Sequence, residues 1–155
     1  MGTSRINAIE VTPCDRDKSV INMGDAIRIE IQLDCVQNQK IHVGIALLDS
    51  YGTRLMRLNT KDMAVPPLTV ADGSVVTCET KPLSLLPGTY SLSVGISDCN
   101  GQILDQLLNA KDFDIHPSPI FPSGVIPSES GAKVFSLSTW LETPQLSEPS
   151  IKSNT

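Results

Sequence analysis

Hydrophobic and polar positions alternate with a period of two along most of the first three quarters of the chain. From Ala26 to Leu33, Ile27, Ile29, Ile31 and Leu33 fall on one face, with Arg28, Glu30 and Gln32 on the other. That alternation predicts a half-buried strand, with branched aliphatics on its buried side. Lys40 to Asp49 repeats it through Ile41, Val43, Ile45 and Leu47, and Gly88 to Asp98 does so through Tyr90, Leu92, Val94 and Ile96. Shorter strands are expected over 54–59 and 74–80, an opening strand over 5–12, and a returning edge over 102–107 and 110–116. Asp49-Ser50-Tyr51-Gly52 supplies one turn. Asp98-Cys99-Asn100-Gly101 carries an Asn-Gly pair and predicts a type I′ hairpin.

No segment shows sustained helical periodicity with a cap at each end. Short strands spaced by turn residues predict an all-β, immunoglobulin-like antiparallel β-sandwich of seven or eight strands over 5–116. Its core is mainly aliphatic, since only six aromatics occur, of which Tyr90 and Phe113 are the best placed.

Composition shifts after His116. The last 39 residues hold six of the eleven prolines and nine serines, so 117–155 reads as a Pro/Ser-rich extension. Within it, Ala132 to Trp140 alternates briefly and contains the single tryptophan. That segment either folds back on its own sheet or adds to the edge of an identical chain by strand exchange. Beyond Glu142 disorder is expected.

Charge and chemistry narrow the function. The net charge is −5 and no Lys/Arg cluster occurs, so a nucleic-acid partner is not expected. No apolar run is long enough to span a bilayer, and Met1-Gly2-Thr3-Ser4-Arg5 has no apolar stretch behind it that would make a secretory signal. Cys14, Cys35, Cys78 and Cys99 form no close pair and do not cluster with His42 or His116. They read as reduced structural thiols, which favours a cytoplasmic chain with no metal and no cofactor. P-loop, GxSxG and HExxH motifs are absent, and Asp105, Asp112 and Asp114 read as surface charges, so no catalytic site is expected. The outward faces instead offer a surface. Ser91, Ser93, Gly95 and Ser97 on one strand, and His42, Gly44, Ala46 and Leu48 on another, would form one polar platform if the two strands paired.

One segment carries a resemblance. Leu85-Leu86-Pro87-Gly88-Thr89-Tyr90-Ser91-Leu92-Ser93-Val94-Gly95-Ile96-Ser97-Asp98, followed by Asn100-Gly101-Gln102-Ile103-Leu104-Asp105, is similar to the C-terminal carbohydrate-binding domain of the ATP-binding subunit of O-antigen polysaccharide ABC exporters, the Wzt family. Met23-Gly24-Asp25, Val43 to Asp49 with Tyr51-Gly52, Asn59-Thr60 and Phe113-Asp114-Ile115 follow the family's order over roughly residues 5 to 116. The resemblance implies a non-catalytic module that binds an O-antigen-type polysaccharide on the cytoplasmic side of the inner membrane. It also implies a homodimer with exchanged C-terminal strands, and a nucleotide-binding domain and membrane subunit as partners. The face argument makes His42, Ser91, Ser93 and Ser97, with Arg54 or Arg57 from the adjacent strand, the candidate carbohydrate-binding residues. The alternative is a protein-interaction module that grips its partner through a sheet edge or the tail.

Overall fold

A computed structural model describes residues 4–126 and 131–143. The expected disorder beyond Glu142 falls, from residue 144 on, outside the described residues. Nine strands occur among the described residues: β1 (Ser4–Pro13), β2 (Ile21–Asn22), β3 (Ile27–Cys35), β4 (Gln39–Asp49), β5 (Arg54–Asn59), β6 (Leu68–Val70), β7 (Val75–Glu79), β8 (Gly88–Ser97) and β9 (Ile103–His116). They form two sheets, β1-β3-β7 and β2-β9-β8-β4-β5, with β6 pairing the start of β4. This is the expected all-β sandwich. The longer strands match the alternation, whereas β2 and β6, with two and three residues, are too short to leave a periodic signal. Pairing is antiparallel except between β2 and β9, where Ile21 and Asn22 run parallel to Ile115 and His116.

The core lies between the sheets. Ile27, Ile29, Ile31 and Leu33 of β3 face Ile41, Val43, Ile45 and Leu47 of β4 and the inner row of β8, all buried. Each such side chain contributes about 1.5–3 kcal/mol of transfer free energy. In β1 the inward residues Ile6 and Ile9 stand an odd number apart. A bulge between Ile6 and Ala8 shifts the register and lets both reach the core. On this flank β1 meets β9, and the carboxylate of Asp105 accepts a hydrogen bond from the Ile6 amide at 2.8 Å. Asp105 is therefore a tie between the sheets and not the solvated charge expected from sequence. On the opposite flank the edge strands β5 and β7 are not paired.

The two long hairpins turn alike. Asp49 Oδ1 accepts from the amides of Tyr51 and Thr53, both at 2.9 Å. Asp98 Oδ1 accepts from Asn100 and Gln102, again both at 2.9 Å. Gly52 and Gly101 take φ of +83° and +84°, and the amide of each closes its turn by donating a hydrogen bond to the aspartate carbonyl. Asn100 is not at positive φ, so the second turn is not the expected type I′. The aspartate carboxylate stabilises a longer loop that needs only one left-handed residue.

Tyr90 anchors the corner before β8. Its hydroxyl donates to the Leu86 carbonyl at 2.6 Å, and its ring lies 6.1 Å from that of Phe113. The four cysteines form no disulfide. Cys35 is buried, Cys14 and Cys78 are half-buried, and Cys99 is exposed in a turn, so burial does not account for all four.

In the extension, the described residues from 117 onward form no strand. The Leu86 amide bonds to the Lys133 carbonyl at 2.8 Å and the Phe135 amide to that of Ser84 at 3.0 Å, with a bridge between Leu85 and Val134. This piece thus folds back on the connection between β7 and β8, held by a Phe121–Phe135 edge contact at 5.3 Å. Trp140 and Leu141 lie beyond it, 90% and 89% exposed.

Candidate functional site

The outer face of the β9-β8-β4-β5 sheet carries the site. Antiparallel pairing puts opposed residues on the same face, so the register decides which side chains become neighbours. Gly95 opposes Gln106 on one side and Gly44 on the other, and Gly44 opposes Asn59. The next row runs Ser93, Ala46, Arg57, and the one after it Ser91, Leu48, Arg54. Small residues at the centre and long polar ones at the flank leave a concavity of about 510 Å³. Gly44 and Gly95 give it a floor of bare backbone. Arg54, Arg57, Asn59 and Gln106 contribute to its lining.

Asn59 is oriented by its own turn. Its Oδ1 accepts from the Lys61 amide at 2.8 Å. That turns Nδ2 over Gly44, 3.1 Å from where a Cβ would stand. Arg57 is held by Asp62 through Nε at 2.6 Å and Nη2 at 2.9 Å. The hydrogen bond to Asp62 raises the guanidinium pKa, and the same bond lowers that of the Asp62 carboxyl. Arg54 is exposed and has no ion-pair partner among the described residues.

Of the residues expected from sequence, the concavity gathers Arg54, Arg57 and Ser93. Ser91 and Ser93 lie on the outer face as the alternation requires, yet they are only 8% and 7% exposed, not open to solvent as expected. The cause is a bulge in β9. Between the Leu92–Lys111 and Val94–Leu107 pairs, three residues of β9 stand against Ser93 alone, and Asn109 takes φ of +50°. The Asn109 amide donates to Ser93 Oγ at 2.9 Å, and Ser91 Oγ donates to Asn109 Oδ1 at 3.2 Å. His42 and Ser97 oppose each other one row beyond Gly44 and Gly95 and do not line the concavity. His42 Nδ1 is 3.4 Å from Thr60 Oγ1. Asn59 and Gln106 were not anticipated as site residues, because only the pairing of β4 and β9 with β5 and β8 brings them to the two glycines.

A second hollow, about 570 Å³, opens between the unpaired edges of β5 and β7. Met56, Leu58, Met63, Val76 and Leu83 make it apolar, and burial raises the pKa of the Cys78 thiol at its wall.

The first concavity offers hydrogen-bond donors and acceptors on a shallow platform, which suits an extended hydroxyl-rich ligand. Among the described residues no group of His, Cys, Asp or Glu is arranged to hold a metal ion, and no helix is long and apolar enough to cross a membrane.

Comparison with known proteins places the chain. No curated protein sequence matches it. Among solved structures, the crystal structure of the C-terminal domain of Wzt is similar with a TM-score of 0.71 at 16% identity, over 92% of this chain and 86% of that one. A calcium-binding mutant of Bacteroides uniformis β-glucuronidase 2 is similar with a TM-score of 0.50 at 12% identity, over 72% of this chain and 14% of that one. At such identities the likeness is one of fold. The family model described as the Wzt C-terminal domain matches residues 1–131, all nine strands and the start of the extension. The chain belongs to the Wzt C-terminal domain family.

Proposed function

We propose that this domain is the non-catalytic polysaccharide-recognising module of an O-antigen-type ABC exporter, and that the chain lies across the outer face of β9-β8-β4-β5. Family membership over residues 1–131 carries the reading, and the polar concavity floored by Gly44 and Gly95 is the surface feature that supports it. Bare backbone at the floor admits a sugar ring close to the sheet, while Asn59, Gln106 and Arg54 supply directional bonds to its hydroxyls. His42 and Ser97 lie on the same face and would extend the contact beyond the concavity, whereas Ser91 is covered. On this reading the partners are the exporter's nucleotide-binding domain and membrane subunit, the module sits at the cytoplasmic side of the inner membrane, and two copies associate through their C-terminal segments.

The test is calorimetric or amide-NMR titration with lipid-free O-polysaccharide from the encoding strain and from an unrelated strain. Saturable binding to the first alone, with shifts on β4, β5 and β8, is expected. Absence of binding to either by the folded protein overturns the reading.

Two features favour a second reading, a protein-interaction module. The apolar hollow between β5 and β7 and the exposed Trp140 and Leu141 are surfaces that suit a protein partner better than a sugar. Truncation after Ser136 separates the two, because Ile120, Phe121 and Phe135, which pack on the core, are kept. Loss of a protein partner with no polysaccharide bound by the full chain supports the second. Polysaccharide binding retained by the truncated chain supports the first.

A further inference from the structure

The charge of the concavity runs against that of the molecule. The chain carries a net −5, yet the residues lining this hollow include two arginines and no aspartate or glutamate. Arg57 is largely committed, since Asp62 takes its Nε and Nη2. Arg54 is not. It stands exposed at the rim with no ion-pair partner among the described residues, on the row next to Ala46 and Arg57. A guanidinium is always charged and presents a planar fork of donors that fits a carboxylate or phosphate better than a neutral hydroxyl. A site meant for an uncharged sugar alone gains little from an unpaired cation at its edge.

We propose that the ligand of this concavity is an anionic sugar unit, bearing a carboxylate or a phosphate that pairs with Arg54 while Asn59 and Gln106 bond its hydroxyls. The proposal rests on the polysaccharide-binding reading above and adds the chemical class of the sugar.

The experiment uses the full chain and the encoding strain's O-polysaccharide in three forms: native, with its carboxyl groups reduced to alcohols, and dephosphorylated with aqueous hydrogen fluoride. Each is titrated against the wild type and Arg54→Gln. One chemical treatment is expected to weaken wild-type binding about tenfold, naming carboxylate or phosphate as the anion, and Arg54→Gln to weaken binding of the native form about as much. Arg54→Gln should be indifferent to that treatment, since both changes remove the same pair. Equal wild-type affinity for all three forms, or a bound polysaccharide without acidic groups, overturns the inference and leaves polysaccharide binding standing. Unchanged affinity in Arg54→Gln overturns it as well. Failure of the native form to bind overturns the underlying reading, and this inference with it.

Discussion

The hydroxyl of Ser93 accepts the backbone amide of Asn109 at 2.9 Å, and this bond holds the β9 bulge against the outer face of β8. It places a part-buried polar pair beside the candidate site, which Ser93 lines. The Asn109 amide lies outside the β8–β9 register at this point, and Ser93 gives it an acceptor.

Ser93→Ala removes that acceptor and keeps the volume nearly constant. Destabilisation by about 0.5–1.5 kcal/mol is expected in chemical denaturation, the net worth of a part-buried hydrogen bond. A loss near zero would mean that water replaces the hydroxyl and that the bulge does not depend on Ser93.

Gly95→Leu and Gly44→Leu separate floor from fold. A Cβ at Gly95 meets nothing nearer than the Asp105 carbonyl at 4.0 Å, whereas one at Gly44 lies 3.1 Å from Asn59 Nδ2. Gly95→Leu is expected to fill the concavity and abolish polysaccharide binding, with stability changed by no more than about 1 kcal/mol. Gly44→Leu also displaces the Asn59 amide, which a shift of its side-chain NMR signals would register. Retained affinity in Gly95→Leu would remove this concavity from the binding surface.

Tyr90→Phe leaves the Leu86 carbonyl without its donor at the corner entering β8. A loss of about 1–2 kcal/mol is expected in thermal or urea unfolding. The wild-type Tyr90 phenol, whose pKa burial raises, should ionise above the ordinary tyrosine range in alkaline spectrophotometric titration. Ionisation of Tyr90 within that range would contradict the buried setting.

Asp49→Ala and Asp98→Ala delete equivalent carboxylates, each accepting two turn amides, but Asp49 is buried and Asp98 only half-buried. Asp49→Ala is expected to cost about 1–3 kcal/mol and Asp98→Ala less, because water reaches the freed amides at the second turn. The reverse order in equilibrium unfolding would show that burial does not set the difference.

The Arg57–Asp62 pair gives a pH dependence of definite sign. Its hydrogen bond lowers the Asp62 pKa in the folded protein. Its contribution is therefore fully present above the ordinary carboxylate pKa and is lost as pH falls through the lower folded value. Both groups are well exposed, so the signal belongs in the titration of the Asp62 carboxyl carbon by NMR and not in global stability. A lower midpoint in the wild type than in Arg57→Gln is expected. Equal midpoints would mean that the pair is not formed in solution.

The strands of this protein are legible because its inward positions are filled by Ile, Leu and Val at strict period two, as in Ile27, Ile29, Ile31 and Leu33. The turn aspartates at 49 and 98, the glycines that follow them, and Tyr90 at the corner are legible too, since local backbone geometry demands them. The site is less so. Alternation reports which face of its own strand a residue occupies, and it placed Ser91 and Ser93 correctly on the outer face. It carries nothing about the neighbouring strand, so the bulge at Asn109 that covers both serines was out of reach. The juxtaposition of Gly44 with Gly95, and of both with Asn59 and Gln106, exists only once β4, β5, β8 and β9 are paired in register. Side-chain periodicity is a property of one strand, whereas a concavity is made by several, and the offsets between strands are set by turns, bulges and core packing acting together.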